Sequence, residues 1–443
     1  MRITGPMVAV LLALSPPWLA LAQNADTDAK PAASDSIPLD DIRRFVAVYN
    51  AVRSAWVEPV DDQTLMRSAI HGLLLELDPH SAYFDREQSQ AFAEHTSGSY
   101  EGIGAELILQ PTNNTLLVIA PIDDTPAARA GLRSGDVIIA IDGTPVSTIE
   151  AMEPLRGPAG TQVRLTIERE GQRPFDLTLT RETIRISSVR SSLLEPGYGY
   201  LRISAFQADT ATDFEKHISK LQQQNTGALK GLVLDLRSNP GGLLSAAVQI
   251  ADDLLDEGVI VSTRGRVALG DTRFEATPGD LLNGAPVMVV VDVGSASASE
   301  VLAAALRDNQ RARLIGSRTF GKGSVQTIMP LDNGDSVKLT TARYYTPSGK
   351  SIQATGLVPD VELQPEMDSS QDDPSAWLAD VTEAQLPGHL SAEEEQEHAS
   401  TPGVVLADDA PIQAALRELK QPGVLATEAR TRTEQTTTGE NKH

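Results

Sequence analysis

The chain has 443 residues, room for two or three domains, and no cysteine, which excludes disulfides, thiolate chemistry and cysteine-ligated metal. Its formal net charge of −23 argues against nucleic acid as a partner, because binding phosphates takes clustered Lys and Arg. No organic cofactor or metal is called for by any motif below.

The first 22 residues, "MRITGPMVAVLLALSPPWLALA", carry one arginine, a short apolar core and small residues before Gln23. That is the pattern of a cleavable secretory signal, and the run is too short and too broken by "SPP" to serve better as an anchor. Residues 23–37 are polar and rich in Ala and Ser, a flexible leader. Residues 38–97 then read mostly as helix: Leu39, Ile42, Phe45, Val46, Tyr49 and Val52 fall at helical spacing. His71 and His80 lie in this module, and both read as surface or packing residues.

From 99 to 185 short β-type runs such as "TLLVIA", "DVIIAIDG" and "QVRLTIER" are separated by turn residues, a mainly β domain. From 186 to 365 strands and helices alternate, an α/β core. Residues 366–443 turn acidic and low in aromatics, a tail read as largely disordered with one amphipathic helix at 410–420.

Within the α/β core, "APVMVVVDV" (285–293) reads as a buried strand and "VLAAALRDNQ" (301–310) as a helix, and "GSASASE" (294–300) joins them. A serine at such a junction sits beside exposed backbone N–H groups at a helix N-terminus. A hydroxyl is a weak nucleophile and needs a base, yet no histidine occurs between His217 and His389. A lysine can serve if burial lowers its pKa. Lys322 in "TFGKGSVQT" has glycines on both sides for close backbone approach, and a strand of period two would put Gln326 on its face. "RSNPGG" (237–242) lies between a strand and a helix, so Gly241 or Gly242 can present an N–H to an oxyanion, with Ala298 N–H as the second donor.

These pieces resemble the C-terminal processing peptidases, serine peptidases of the tail-specific protease family. The resemblance runs in order through "HGLLLELDPHSAYFD" (71–85), "TSGSYEGIGAELI" (96–108), "APIDDTPAARAGLRSGDVIIAIDGTPV" (120–146), "KGLVLDLRSNPGGLL" (230–244), "GSASASEVLAAALRDN" (294–309) and "GSRTFGKGSVQT" (316–327), covering about 38–365. Ser238 and the pair Asp292-Val293 stand where the family often has Asn and Asn-Gly. The resemblance implies a crotonase/ClpP-like α/β core with an inserted PDZ domain at 99–185 and an N-terminal helical module. It implies a Ser–Lys dyad, with Ser297 as nucleophile, Lys322 as base and Gln326 positioning the lysine. Ser295 and Ser299 become structural, and Asp308 matches an acidic position rated structural.

For the PDZ domain the resemblance implies that backbone N–H groups of Gly102, Ile103 and Gly104 hold a peptide's C-terminal carboxylate while the peptide adds as a strand. Arg156 matches an arginine that links the PDZ domain to the catalytic domain in some members. The implied function is an exported, periplasmic serine endopeptidase of a Gram-negative-type envelope, acting on proteins with apolar C-termini. An adaptor or activator protein and a homo-oligomer built from dimers are further implied partners. Two rival readings, a catalytically silent PDZ scaffold and an acyl-CoA enzyme on a crotonase-type core, fit the complete Ser297–Lys322–Gln326 set and the signal less well.

Overall fold

The computed structural model describes residues 37–110, 115–146, 149–266, 271–363, 381–393 and 409–421. The expected signal and leader, apart from Ile37, lie outside them. The chain divides into two compact units, 1–67 and 68–443. In the first, helix α1 (Leu39–Ala55) carries the helical spacing read from the sequence, and Tyr49 Oη donates to Asp62 O at 3.1 Å, tying α1 to the start of α2 (Asp62–Leu75). Among the described residues no helix is long and apolar enough to cross a membrane.

The second unit opens with strand β1 (Ala82–Phe84) and helix α3 (Arg86–Ser97). Asp85 caps α3 by accepting from Gln88 N at 2.9 Å, and Gln88 returns a bond to Asp85 N, so the helix start is fixed reciprocally. Strand β2 (Ser99–Gly102) leads into a β domain and pairs antiparallel with its exit strand. That domain comprises β3 (Ala105–Gln110), β4 (Thr115–Pro121), the short helix α4 (Pro126–Arg129), β5 (Val137–Ile141), β6 (Thr144–Pro145), β7 (Gln162–Glu168), β8 (Phe175–Thr180) and the exit strand β9 (Glu182–Arg185). Its main sheet runs β3-β4-β5-β7-β8, and Leu116, Ile138, Leu165 and Ile167 fill its core. Strand β3 ends the sheet, so one of its edges is unpaired.

The α/β core follows: β10 (Val189–Glu195), β11 (Tyr198–Ile203), α5 (Thr210–Gln224), β12 (Gly231–Asp235), α6 (Leu244–Asp252), β13 (Val259–Gly265), β14 (Thr272–Glu275), β15 (Val287–Val291), α7 (Ala298–Asp308), β16 (Ala312–Gly316), β17 (Ser324–Pro330), β18 (Ser336–Tyr345), β19 (Val361–Glu362) and α8 (Ala410–Leu419). One sheet runs β10-β11-β12-β15-β16-β19, parallel except at β10. Every residue of β12 and β15 is buried, as a parallel strand covered on both faces requires. Alternation sorts the faces. Leu232, Leu234, Val287, Val289 and Val291 pack with α5, α6 and α7, while Val233, Met288 and Val290 pack with Ile412, Ala415 and Leu419 of α8. The 410–420 helix read from the sequence thus covers one side of the core sheet.

A second, antiparallel sheet runs β1-β18-β13-β14, with β17 added to β18. The pairing of Ala82–Phe84 with Ser336–Lys338 brings the turn before β1 against the hairpin that carries the lysine loop. Residues 381–393 differ from the plain acidic tail read from the sequence. They dock on the core through Glu383 N to Phe320 O (3.1 Å) and Arg343 Nη1 to Ser391 O (2.9 Å), and Glu383 is fully buried.

Candidate active site

The buried strand β15 ends at Val291 and the chain turns sharply into α7. Each serine of "SASAS" has a separate place. Ser295 Oγ donates to Leu236 O at 2.8 Å and accepts from Asp292 N at 3.0 Å, locking the turn to the neighbouring strand end. Ser299 Oγ donates to Asn239 O at 2.9 Å. Both hydroxyls are fully buried and occupied by backbone. Ser297 stands between them with φ +55° and ψ −114°, a backbone conformation that a side-chain-bearing residue adopts only under strain. A strained strand-to-helix turn that projects one hydroxyl is the geometry of a nucleophile elbow.

Glu300, one turn into α7, holds this geometry. Its side chain is completely buried and accepts four bonds: Ser297 N (2.8 Å) and Lys322 N (2.9 Å) on Oε2, and Gly321 N (2.8 Å) and Thr319 Oγ1 (2.5 Å) on Oε1. One carboxylate thus clamps the backbone of the serine to the backbone of the lysine loop. Burial pushes the Glu300 carboxyl up to about 7, against the pull of those four donors. The spacing Ser297-x-x-Glu300 is that of a capping box, a signal in the sequence that points to Glu300.

Lys322 lies in the loop before β17, tied down by Phe320 N to Ser295 O at 3.1 Å. Close approach explains Gly323: a Cβ there would stand 2.5 Å from Gln353 N. Burial pushes the Lys322 amine down to about 8, Lys338 pushes the same way, and Glu383, Glu300 and Asp78 oppose them. The amine is therefore titratable close to neutral pH, the property a lysine base needs. Among the described residues no hydrogen bond joins Ser297 Oγ to Lys322 Nζ. Burial pushes the neighbouring Tyr344 phenol up to about 12, against an opposing effect of the Ser297 side chain.

Gln326 departs from the period-two reading. The strand begins only at Ser324, so Lys322 does not lie on it, and the pairing slips between Val325 and Gln326, where β18 carries the extra residue Thr341. Gln326 Nε2 donates to Ser324 Oγ (3.0 Å) and Thr340 Oγ1 (3.2 Å), not to the lysine. Of the two glycines, Gly241 packs against Ser297, but its N–H already donates to Asn239 Oδ1 at 2.9 Å. Gly242 is bridged to Phe206 through neighbouring groups, Phe206 N to Gly241 O and Leu243 N to Phe206 O, so the bridge does not use its own N–H. Ala298 is the first residue of α7, where backbone N–H groups lack intrahelical partners. Asp308 sits at the far end of α7, accepting from Ser348 N (3.2 Å) and Arg307 Nε (3.1 Å), a structural placement.

The PDZ-side residues form a separate place. A cleft of about 730 Å³ runs beside β3, lined by Ile103, Gly104, Leu107, Leu155 and Arg156. Gly102 lies within strand pairing, opposite Glu182 and bridged to Arg156, while Ile103 and Gly104 make the turn into β3. The carbonyls of that turn face inward, accepting from Ala127 N and Ile122 N at 2.9 Å each. Arg156 pairs with Glu94 of α3 and stacks on Tyr100, 5.2 Å from its ring centre. Helix α3 also touches the β17–β18 hairpin, through Ser89 Oγ to Ser336 Oγ at 2.8 Å and Arg86 Nη2 to Asn333 O at 2.9 Å. It connects the cleft to the core and was not singled out in the sequence.

A serine elbow, a depressed lysine and an inserted peptide-binding β domain define a class, the PDZ-bearing serine peptidases. Residues 197–363 match the peptidase family S41, residues 117–169 a PDZ domain, and residues 17–88 the N-terminal domain of the activating protease CtpB. The chain is 42% identical over 392 residues to the carboxy-terminal-processing protease of Bartonella bacilliformis, covering 87% of this chain and 88% of that protein. It is 34% identical over 339 residues to the carboxy-terminal processing protease CtpA of Bacillus subtilis (strain 168), covering 76% and 71%. Among solved structures it is similar to the photosystem II D1 C-terminal processing protease, at 32% identity over 74% of this chain and 94% of that one, with a TM-score of 0.43. The chain belongs to peptidase family S41, as a C-terminal processing serine protease with a mixed α/β core, a PDZ insertion and an N-terminal helical domain.

Proposed function

We propose that this protease is exported to the periplasm, captures protein substrates by apolar C-termini at the PDZ cleft, and cleaves them with Ser297 and Lys322. The Lys322 amine takes the Ser297 proton as Oγ attacks the scissile carbonyl. The resulting ammonium returns that proton to the leaving amine, and water hydrolyses the acyl-enzyme by the same route. Gly242 N–H and Ala298 N–H are the donors for the oxyanion, Gly241 being engaged by Asn239. The open edge of β3 receives the tail as an added strand, with Ile103 and Gly104 N–H toward its carboxylate.

The observation that carries the reading is the shared Glu300 carboxylate. It joins the only strained serine of the "SASAS" turn to the backbone of a lysine whose amine burial lowers to about 8. The export signal rests on residues 1–22, and self-association through the N-terminal helical domain and activation by an adaptor extend the same proposal. The test is cleavage of a protein ending in an apolar tail. Ser297→Ala and Lys322→Ala lose at least about ten-thousand-fold in kcat while remaining folded, and Ser295→Ala stays active. An active Ser297→Ala would end the assignment.

A further inference from the structure

The 381–393 segment lies outside the residues matched to the peptidase family, yet it reaches the active site. Glu383 is the point of contact. Its backbone N–H donates to Phe320 O, two residues before Lys322. Its Oε1 accepts from Gln353 Nε2 at 2.9 Å, and Gln353 Oε1 in turn accepts from Gly323 N at 3.0 Å, one residue after Lys322. Its Oε2 meets His80 Nε2 at 2.8 Å. Glu383 and Gln353 are both completely buried, so these bonds form in a low-dielectric setting where a misplaced charge is costly. The strap therefore brackets the lysine loop on both sides and sets a carboxylate beneath it.

The turn before β1 meets the strap through His80. His80 N and Ser81 N donate to Asp78 Oδ1 at 2.8 and 3.0 Å, and Thr340 Oγ1 donates to the same oxygen at 3.0 Å. The charged and titratable groups facing Lys322 are thus Glu383 on the strap, Asp78 and His80 on the turn, Glu300 on α7 and Lys338 on β18. We propose that Glu383 is a positioning residue for Lys322, delivered by a C-terminal strap that completes the active site and is oriented there by His80 and Gln353. This inference rests on the reading of Lys322 as the base. It assigns the strap a role in the step where the lysine carries the serine's proton as an ammonium, which a fixed neighbouring carboxylate stabilises. It also gives His80 a duty other than packing.

The experiment is the pH profile of kcat/KM on an apolar-tailed protein, with folding followed by thermal melting. Glu383→Gln keeps an acceptor for Gln353 and removes the charge. Without that charge the ammonium is less favoured, so the ascending limb moves to lower pH. The ratio of kcat/KM at pH 7 to that at pH 9 rises about threefold, while the plateau falls. His80→Gln retains a donor for Glu383 and removes the imidazole, and its limb stays near wild type, which excludes His80 as the titrating group. Glu393→Gln loosens the far end of the strap, where Tyr345 Oη donates to Glu393 Oε1 at 2.6 Å, and leaves the midpoint unmoved. Should Glu383→Gln not fold, Glu383→Asp withdraws the charge by one methylene and still moves the limb downward. A folded Glu383 variant with an unmoved midpoint overturns the proposal. Cleavage by Lys322→Ala would instead overturn the dyad reading itself, so the two failures are distinguishable.

Discussion

The Ser297 turn and the PDZ cleft are built on opposite principles. Around Ser297 the polar groups are buried and multiply bonded: Glu300 accepts four donors, Ser295 and Ser299 are occupied by backbone, and Glu383 and Gln353 are sealed. Around the cleft the edge of β3 is open, and the contact from Arg156 to Glu94 involves an arginine side chain that is 60% exposed. A buried clamp fixes one geometry and fails steeply when a partner is removed. An exposed ion pair contributes under about 1 kcal/mol and can exchange as the cleft fills. Substitutions in the first region should therefore act on kcat and stability, and those in the second on tail affinity or its coupling to cleavage.

The largest expected effect that sharpens this contrast is at Glu300. Glutamine has nearly the same shape, but all four groups around the carboxylate are donors, so its amide must face at least one N–H. Glu300→Gln should lower kcat by about a hundredfold and cost about 2 kcal/mol in melting experiments, with tail affinity unchanged. Wild-type kcat in that variant would show that the clamp is dispensable.

A smaller effect belongs to the ligand. Amidating the C-terminus of a tail peptide removes the charge that the Ile103–Gly104 turn would hold, and affinity by calorimetry should fall about tenfold. Equal affinity for acid and amide would remove that turn from carboxylate binding. The smallest change in stability is expected for Arg156→Ala, under about 1 kcal/mol. Its effect should appear as slower cleavage at unchanged tail affinity, because Glu94 stands on α3, which also touches the Asn333–Ser336 turn. Loss of affinity and rate together would make Arg156 a binding residue only.

Local pattern made part of this legible in the sequence. The apolar run, the small-residue turn and the helix around Ser297 follow from burial and capping, and glycines flank Lys322 where Gln353 approaches. The α/β core with its β insertion followed from alternating patterns. Other features depend on contacts distant in sequence. An extra residue in β18, Thr341, puts Thr340 opposite Gln326, and no periodicity of the lysine segment announces that partner. The strap at 381–393 reads as acidic and turn-rich, and only its partners His80 and Gln353, 303 and 30 residues distant, reveal why Glu383 is buried. Glu300 is the exception, since its capping-box spacing was present to be read.

The central claim, that a serine is activated by a lysine whose amine is depressed by burial, is tested most directly by the pH dependence of kcat/KM for wild type and Lys322→Arg. Lowering of the amine to about 8 means the base is protonated below that pH and free above it. Wild-type activity should therefore rise with pH through a midpoint near 8. A guanidinium stays charged throughout, so Lys322→Arg should be inactive at every pH. Cleavage by Lys322→Arg, or a wild-type midpoint in the histidine range that vanishes in His80→Gln, would contradict the account.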